Sequence, residues 1–188
     1  AGQALVANFK PASSSEEDVN NAFRAAIDAA EEQLKEFDYA GSTMAAICAF
    51  EGKFFAANMG DSLSHFVVKS RKPTTFGRAV VKPVSEKHKI TVPKECVRIF
   101  KKGGILDHER GGVLYEKDGH CRAATRCFGD MKWKAVGVVA EPFIQENPIT
   151  AEDKDSAFIM VGSDGLCDVL TPQEIANIVL DGLAQSKS

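Results

Sequence analysis

The sequence predicts a single α+β unit. Two observations carry that expectation: apolar residues at helical spacing behind capping signals near each end, and between them short apolar runs divided by tight-turn residues. No internal repeat and no domain-scale linker interrupts the 188 residues, so residues 1–188 read as one domain or one segment of a domain. A chain of that length can bury a sizeable core.

The first ten residues end in Lys10-Pro11, and a small polar linker, Ala12 to Ser15, comes next. Ser15 with Asp18 three residues on makes a capping box, so a helix is expected from Ser15 to about Phe37. Val19, Phe23, Ile27 and Leu34 form its apolar stripe, and Ala22, Ala25, Ala26, Ala29 and Ala30 add propensity. From Gly41 the period changes. Strands are expected at Thr43–Phe50, Lys53–Asn58 and His65–Lys69, with tight turns at Glu51-Gly52 and Gly60-Asp61-Ser62. The stretch from Arg71 to Gly112, broken by Pro73, Pro83 and Pro93, reads mostly as loop with short strands. Val113–Tyr115 and Val136–Ala140 read as further short strands. Ala157–Gly162 is a continuous apolar run of strand length, as a buried central strand would be. The last element starts at Thr171, with Pro172 at the first helical position and Glu174 completing the box, ahead of Ile175, Ile178, Val179 and Leu183.

Composition narrows the function. The 44% apolar and 26% charged fractions are those of a globular domain and exclude a disordered chain. With 23 basic and 26 acidic residues the formal charge is −3, so there is no basic footprint for gripping nucleic-acid phosphates. The longest wholly apolar run, Met44 to Phe50, is far short of the roughly 18 residues of a membrane span, and no signal-peptide pattern opens the chain. The cysteines, Cys48, Cys96, Cys121, Cys127 and Cys167, are odd in number and lack C-x-x-C spacing. They point to a reducing, intracellular setting, cytoplasm or nucleus.

Three segments could carry chemistry. In Ile159-Met-Val-Gly-Ser163-Asp164-Gly165-Leu-Cys-Asp168 an apolar strand ends abruptly in Ser-Asp-Gly. A carboxylate fixed at a strand end can present oxygen to a hard divalent cation, and it can equally cap its own turn. Asp61, in Gly60-Asp61-Ser62, reads as a turn carboxylate. Asp118-Gly119-His120 reads as a solvated turn. His65, His88 and His108 have no spacing that would place two on one face, so zinc has no support. Neither a nucleophile elbow nor a Gly-rich phosphate loop is present.

The order of the motifs is more specific than any one of them. Gly41-Ser42-Thr43, then Ala56-Ala57-Asn58-Met59-Gly60-Asp61-Ser62, Ser85-Glu86-Lys87-His88-Lys89, Glu95 to Ile99 with Gly103-Gly104-Ile105, Arg122-Ala-Ala-Thr-Arg126-Cys-Phe128-Gly129-Asp130, Ala140-Glu141-Pro142 and Ser163-Asp164-Gly165-Leu166-Cys167-Asp168 succeed one another in register. In this order the chain resembles the metal-dependent protein serine/threonine phosphatases of type 2C, over about Gly41 to Leu180. The resemblance implies a sandwich of two antiparallel β-sheets flanked by helices. It also implies hydrolysis of phosphoserine and phosphothreonine by water activated on two Mn²⁺ or Mg²⁺ ions, with phosphoproteins or kinase-pathway proteins as partners.

Carried over by position, Asp164 matches the metal-ligating aspartate of Ser-Asp-Gly, and Asp168 matches a position outside the direct ligands. The N-terminal Asp-Gly-His and C-terminal Asp-Asn ligand segments of the family have no counterpart in the sequence, and Asp118-Gly119-His120 falls in the wrong place to serve. Ala1-Gly2 and the apolar Ala4-Leu5-Val6-Ala7 look like the stretch directly after Asp-Gly-His in that motif, so an incomplete domain is expected. Lys87 stands where the family often carries an aspartate that serves an accessory metal, and Leu63 replaces the arginine usual after Gly-Asp-Ser. Two readings result: a phosphatase catalytic domain whose 188-residue segment is itself inactive, or a pseudophosphatase that uses the fold as a binding module in signalling.

Overall fold

Ser15 caps the first helix as the sequence predicts, its hydroxyl accepting the Asp18 backbone N–H at 3.1 Å. The structure, a computed structural model, describes residues 13, 15–50, 52–74, 77–109, 113–115, 121–150, 153 and 157–185. In chain order the elements begin with α1 (Glu16–Leu34), β1 (Gly41–Ser42), β2 (Met44–Phe50), β3 (Lys53–Met59), β4 (Leu63–Thr74) and β5 (Gly77–Pro83). Then come α2 (Pro93–Lys101), β6 (Ile105–Asp107), β7 (Val113–Tyr115), β8 (Cys121–Arg122), β9 (Phe128–Gly129) and α3 (Met131–Lys134). The chain continues with β10 (Phe143–Pro148), β11 (Ala157–Gly162), α4 (Asp164–Cys167) and α5 (Pro172–Gln185).

Strand β3 explains the layers. It is the centre of an antiparallel sheet ordered β10-β3-β2, and six of its seven residues are buried. Successive side chains alternate across a strand. Phe55, Ala57 and Met59 pack with Met44 against Val19, Phe23 and Ile27 of α1. Phe54 and Ala56, on the opposite face, meet Phe66 of a second sheet, with the Phe54 and Phe66 ring centroids 5.2 Å apart. That second sheet, ordered β11-β4-β5, is also antiparallel. Its outer face carries Val67 and Ala79, which pack on Ala176 of α5. Helix, sheet, sheet, helix is the two-sheet sandwich of an α+β fold. A small meander, β6-β7-β8, and the β1-β9 pair complete the described strands.

Several expectations need correction. Helix α1 ends at Leu34, where its apolar stripe ends, and Phe37 lies beyond it with 54% exposure. Strand β4 extends past Lys69 to Thr74 and pairs with β5, and a register irregularity falls between Lys69 and Thr74, the span holding Pro73. The region from Pro93 is a helix, α2, because a proline at the first helical position starts a helix instead of breaking one. Residues 135–137 form a turn, and Val139 makes only a single bridge to Arg126, so no strand spans Val136–Ala140. Ala157–Gly162 is indeed a strand, but it lies at the edge of its sheet and Val161 is half exposed. Its unbroken apolar run arises because both faces are covered: Ala157 and Ile159 by the other sheet, Phe158 and Met160 on the α5 side.

Helix α5 is capped as expected: the Thr171 N–H donates to Glu174 Oε2 at 2.7 Å and the Glu174 N–H to Thr171 Oγ1 at 3.3 Å. Its buried contact is Ala176, with Leu180 beside it, whereas Ile178 points to solvent. Between α5, α4 and β11 an open cavity of about 300 Å³ remains, lined by Phe158, Met160, Leu166, Ile175 and Val179. Cys48, Cys96, Cys121, Cys127 and Cys167 are all free thiols. Among the described residues no helix is long and apolar enough to cross a membrane.

Phe23 is 3% exposed in the α1–sheet contact. Phe23→Asp should lower unfolding free energy by at least about 3 kcal/mol, since it removes a core aromatic and buries an unpaired charge. Urea denaturation checks this; an unchanged midpoint would exclude the packing described.

Candidate functional site

The candidate site lies at one end of the β11-β4-β5 sheet. Gly162 of β11 stands opposite Leu63 of β4, so the turn before β4 and the turn after β11 leave the sheet side by side. The first turn carries Asp61 and the second Asp164. Gly60 makes the first turn possible: its φ is +93°, and a Cβ there would collide with the Thr43 side chain and stand 3.0 Å from the Arg126 carbonyl.

A loop, residues 85–89, is sewn onto this end. Asn58 donates from Nδ2 to the Glu86 carbonyl at 2.6 Å and accepts the Glu86 N–H on Oδ1 at 3.1 Å. The His88 N–H donates to the Gly60 carbonyl at 2.9 Å, and the Gly60 N–H donates to His88 Nδ1 at 3.2 Å. His88 is fully buried, and burial with the Arg126 charge lowers its pKa to about 4, so it is neutral in the fold. Lys89 Nζ lies 3.1 Å from Asp61 Oδ2 and 3.4 Å from Asp168 Oδ2, and Lys87 Nζ 3.0 Å from Asp168 Oδ1. Although burial disfavours the charged form of Lys89, the Asp61 hydrogen bond raises its pKa above the ordinary lysine value.

Beneath the loop is a buried ionic knot. Glu95 of α2 has no exposed surface. Its Oε1 accepts Arg126 Nη2 at 2.6 Å, and its Oε2 accepts Arg98 Nη2 and Thr125 Oγ1, each at 2.7 Å. Burial alone would raise the Glu95 pKa, but these donors overcome it and hold the carboxyl at about 2.

Of the residues singled out in the sequence, Asp164 is at the strand end as expected, exposed, with Oδ1 accepting the Gly165 N–H at 2.8 Å. It therefore does cap its own turn. Asp61 is buried, and Lys89 from a distant loop holds it. His65 is buried on β4 opposite Met160, and His108 is exposed. Asp118-Gly119-His120 and Ala1-Gly2 lie outside the described residues. Sequence reasoning assigned no role to Glu95, Arg126 or Lys89. The signal available was a glutamate inside an amphipathic segment behind Pro93 and an arginine among apolar neighbours.

A pair of Mn²⁺ or Mg²⁺ ions needs several converging oxygens. Among the described residues no group of three or more His, Cys, Asp or Glu side chains could hold a metal. Asp61 and Asp168 are already engaged by lysines. The donors among the described residues do not fit a two-metal centre.

The protein phosphatase 2C family model matches residues 4–188, and the chain belongs to that family. It is 32% identical over 151 residues to the integrin-linked kinase-associated serine/threonine phosphatase 2C of Bos taurus, covering 78% of this chain and 36% of that protein. With probable protein phosphatase 2C 11 of Arabidopsis thaliana it shares 38% over 146 residues, covering 76% of this chain and 33% of that protein. The chain thus spans about a third of the length of these relatives. Among solved structures, the serine-threonine phosphatase 2C of Toxoplasma gondii shares the fold, with a TM-score of 0.77 at 19% identity over 90% of this chain and 58% of that one. The catalytic domain of the serine threonine protein phosphatase PstP, solved with two manganese ions, has a TM-score of 0.52 at 16% identity, over 93% and 64%.

Acid should destabilise the fold in two stages. Unfolded His88 takes a proton near 6.5 and folded His88 only near 4, so stability falls as pH drops from 6.5 towards 4. Unfolded Glu95 protonates near 4.5 and folded Glu95 near 2, so its contribution, full above 4.5, is lost between 4.5 and 2. Glu95→Gln should cost about 3–5 kcal/mol at neutral pH. It should also flatten the slope below pH 4.5, whereas His88→Asn should flatten the slope between 6.5 and 4. Chemical denaturation across pH reads both, and parallel profiles for all three proteins would refute the assignment.

Proposed function

We propose that residues 1–188 form part of the catalytic domain of a protein serine/threonine phosphatase of type 2C, to which this segment contributes the sandwich scaffold and one metal-ligating carboxylate, Asp164. The parent protein would hydrolyse phosphoserine and phosphothreonine in protein substrates, with Mn²⁺ or Mg²⁺ as its cofactor, inside the cell. The observation that carries this reading is the family match over residues 4–188 together with the exposed Asp164 carboxylate at the sheet end. The name of the bovine relative ties that protein to integrin-linked kinase, which supports kinase-pathway proteins as the class of partner. The 188-residue chain by itself is inactive on this reading, because one carboxylate cannot fix two dications.

The second reading is a pseudophosphatase that docks signalling partners. It draws support from the lysines that occupy Asp61 and Asp168 and from the absence of a three-ligand cluster among the described residues.

Hydrolysis of a phosphothreonine peptide with millimolar Mn²⁺ separates the readings. The 188-residue chain should show no turnover. The full-length parent should turn over, and Asp164→Asn should cut its rate by at least about a hundredfold, the upper end of what changes behind a metal ligand cost. A silent parent would favour the pseudophosphatase, and robust turnover by the 188-residue chain would overturn the ligand count.

A further inference from the structure

Three separate segments bring two lysines and two carboxylates together at the sheet end that carries Asp164. Lys87 and Lys89 come from the 85–89 loop, Asp61 from the turn before β4, and Asp168 from the end of α4. Asp168 has an ammonium on each oxygen, Lys87 on Oδ1 at 3.0 Å and Lys89 on Oδ2 at 3.4 Å, and Lys89 also reaches Asp61 Oδ2 at 3.1 Å. The inner pair is nearly dry, with the Lys89 side chain 13% and the Asp61 side chain 5% exposed. Asp168 is joined to Asp164 through the backbone of α4, its N–H donating to the Asp164 carbonyl at 2.8 Å.

We infer that Lys87 and Lys89 form a built-in cation clamp that closes Asp61 and Asp168 to divalent metal, whatever Asp164 itself binds. The two ammonium charges balance the two carboxylate charges, so the cluster has no negative charge left to attract a dication. A hard dication would need those same carboxylate oxygens at about 2.0–2.6 Å. There it would stand within a few ångströms of two tethered positive charges, where like-charge repulsion is strongest. Lys87 could swing towards solvent, but Lys89 is held in place by its buried stem and by the single bridge that pairs it with Ala124. A lysine also differs from an ion in being covalently attached. Its occupancy does not depend on metal concentration, so the turn before β4, the 85–89 loop and α4 stay joined at any level of Mn²⁺ or Mg²⁺.

The test is Mn²⁺ titration of the full chain, read by electron paramagnetic resonance, on wild type, Asp168→Asn, Lys87→Asp and the double variants. Asp168→Asn should leave wild-type Mn²⁺ binding unchanged. Lys87→Asp, which exchanges a repelling ammonium for a third carboxylate, should bind Mn²⁺ at least about tenfold more tightly than wild type. Adding Asp168→Asn to it should abolish that gain, and adding Asp164→Asn should not. Wild-type Mn²⁺ affinity that falls on Asp168→Asn would overturn the clamp, as would a folded Lys87→Asp variant with no gain. Should Lys87→Asp fail to fold, the comparison of wild type with Asp168→Asn decides alone. Asp164→Asn on its own reports on the proposed metal ligand, so the two readings fail independently.

Discussion

A carboxylate stripped of water must be met by donors or the fold does not form around it. Glu95 is such a group, and the paths of four chain segments are set by satisfying it. Arg126 reaches it and also donates to the Glu141 carbonyl at 3.0 Å. Arg98 reaches it and donates to the carbonyls of Gly137 and Thr125, each at 2.9 Å. Helix α2, the 124–126 stretch, the turn at 135–137 and the segment leading into β10 are thereby fixed relative to one carboxylate. The Thr125 N–H, donating to the His88 carbonyl at 2.9 Å, extends the same network to the loop that bears Lys87 and Lys89. An apolar cluster could supply comparable stability here, but it would not dictate direction and distance as paired hydrogen bonds do.

The layered core was legible in the sequence because its signals are local and periodic. Capping residues at Ser15 and Thr171 act within a few positions, and the structure has them in those roles; residues 60–62, which read as a hairpin turn, instead bend the chain from one sheet into the other. Helix α2 was obscured because Pro93 carries the same letter whether it opens a helix or breaks one, and because one side chain, Ile99, supplies its apolar contact in the core. Strand β11 reads as central because a run apolar on both faces is shared by central strands and by sandwiched edge strands. Asp164 could be located from its motif. The lysine partners of Asp61 and Asp168 could not, since they come from 28 and 81 residues away in the chain and no periodicity links them.

At the sheet end, local geometry and charge act on different carboxylates in different ways. Asp164 is exposed and bonds its own turn through Oδ1. Asp61 and Asp168 are balanced from within. The fold therefore holds three carboxylates on neighbouring turns without the mutual repulsion that would otherwise push those turns apart.

Helix α5 rests on shallow footing. One small side chain, Ala176, is its buried anchor, an open cavity separates part of its length from β11, and surface contacts from Arg78 to Asn177 and Asp181 tie down the far side. Lifting this helix uncovers Val67, Ala79 and the α5 side of β11, while the Phe54–Phe66 interior stays closed. Native-state amide exchange in α5 should then proceed through a small local opening, well ahead of the strands of the inner sandwich, which exchange only with global unfolding.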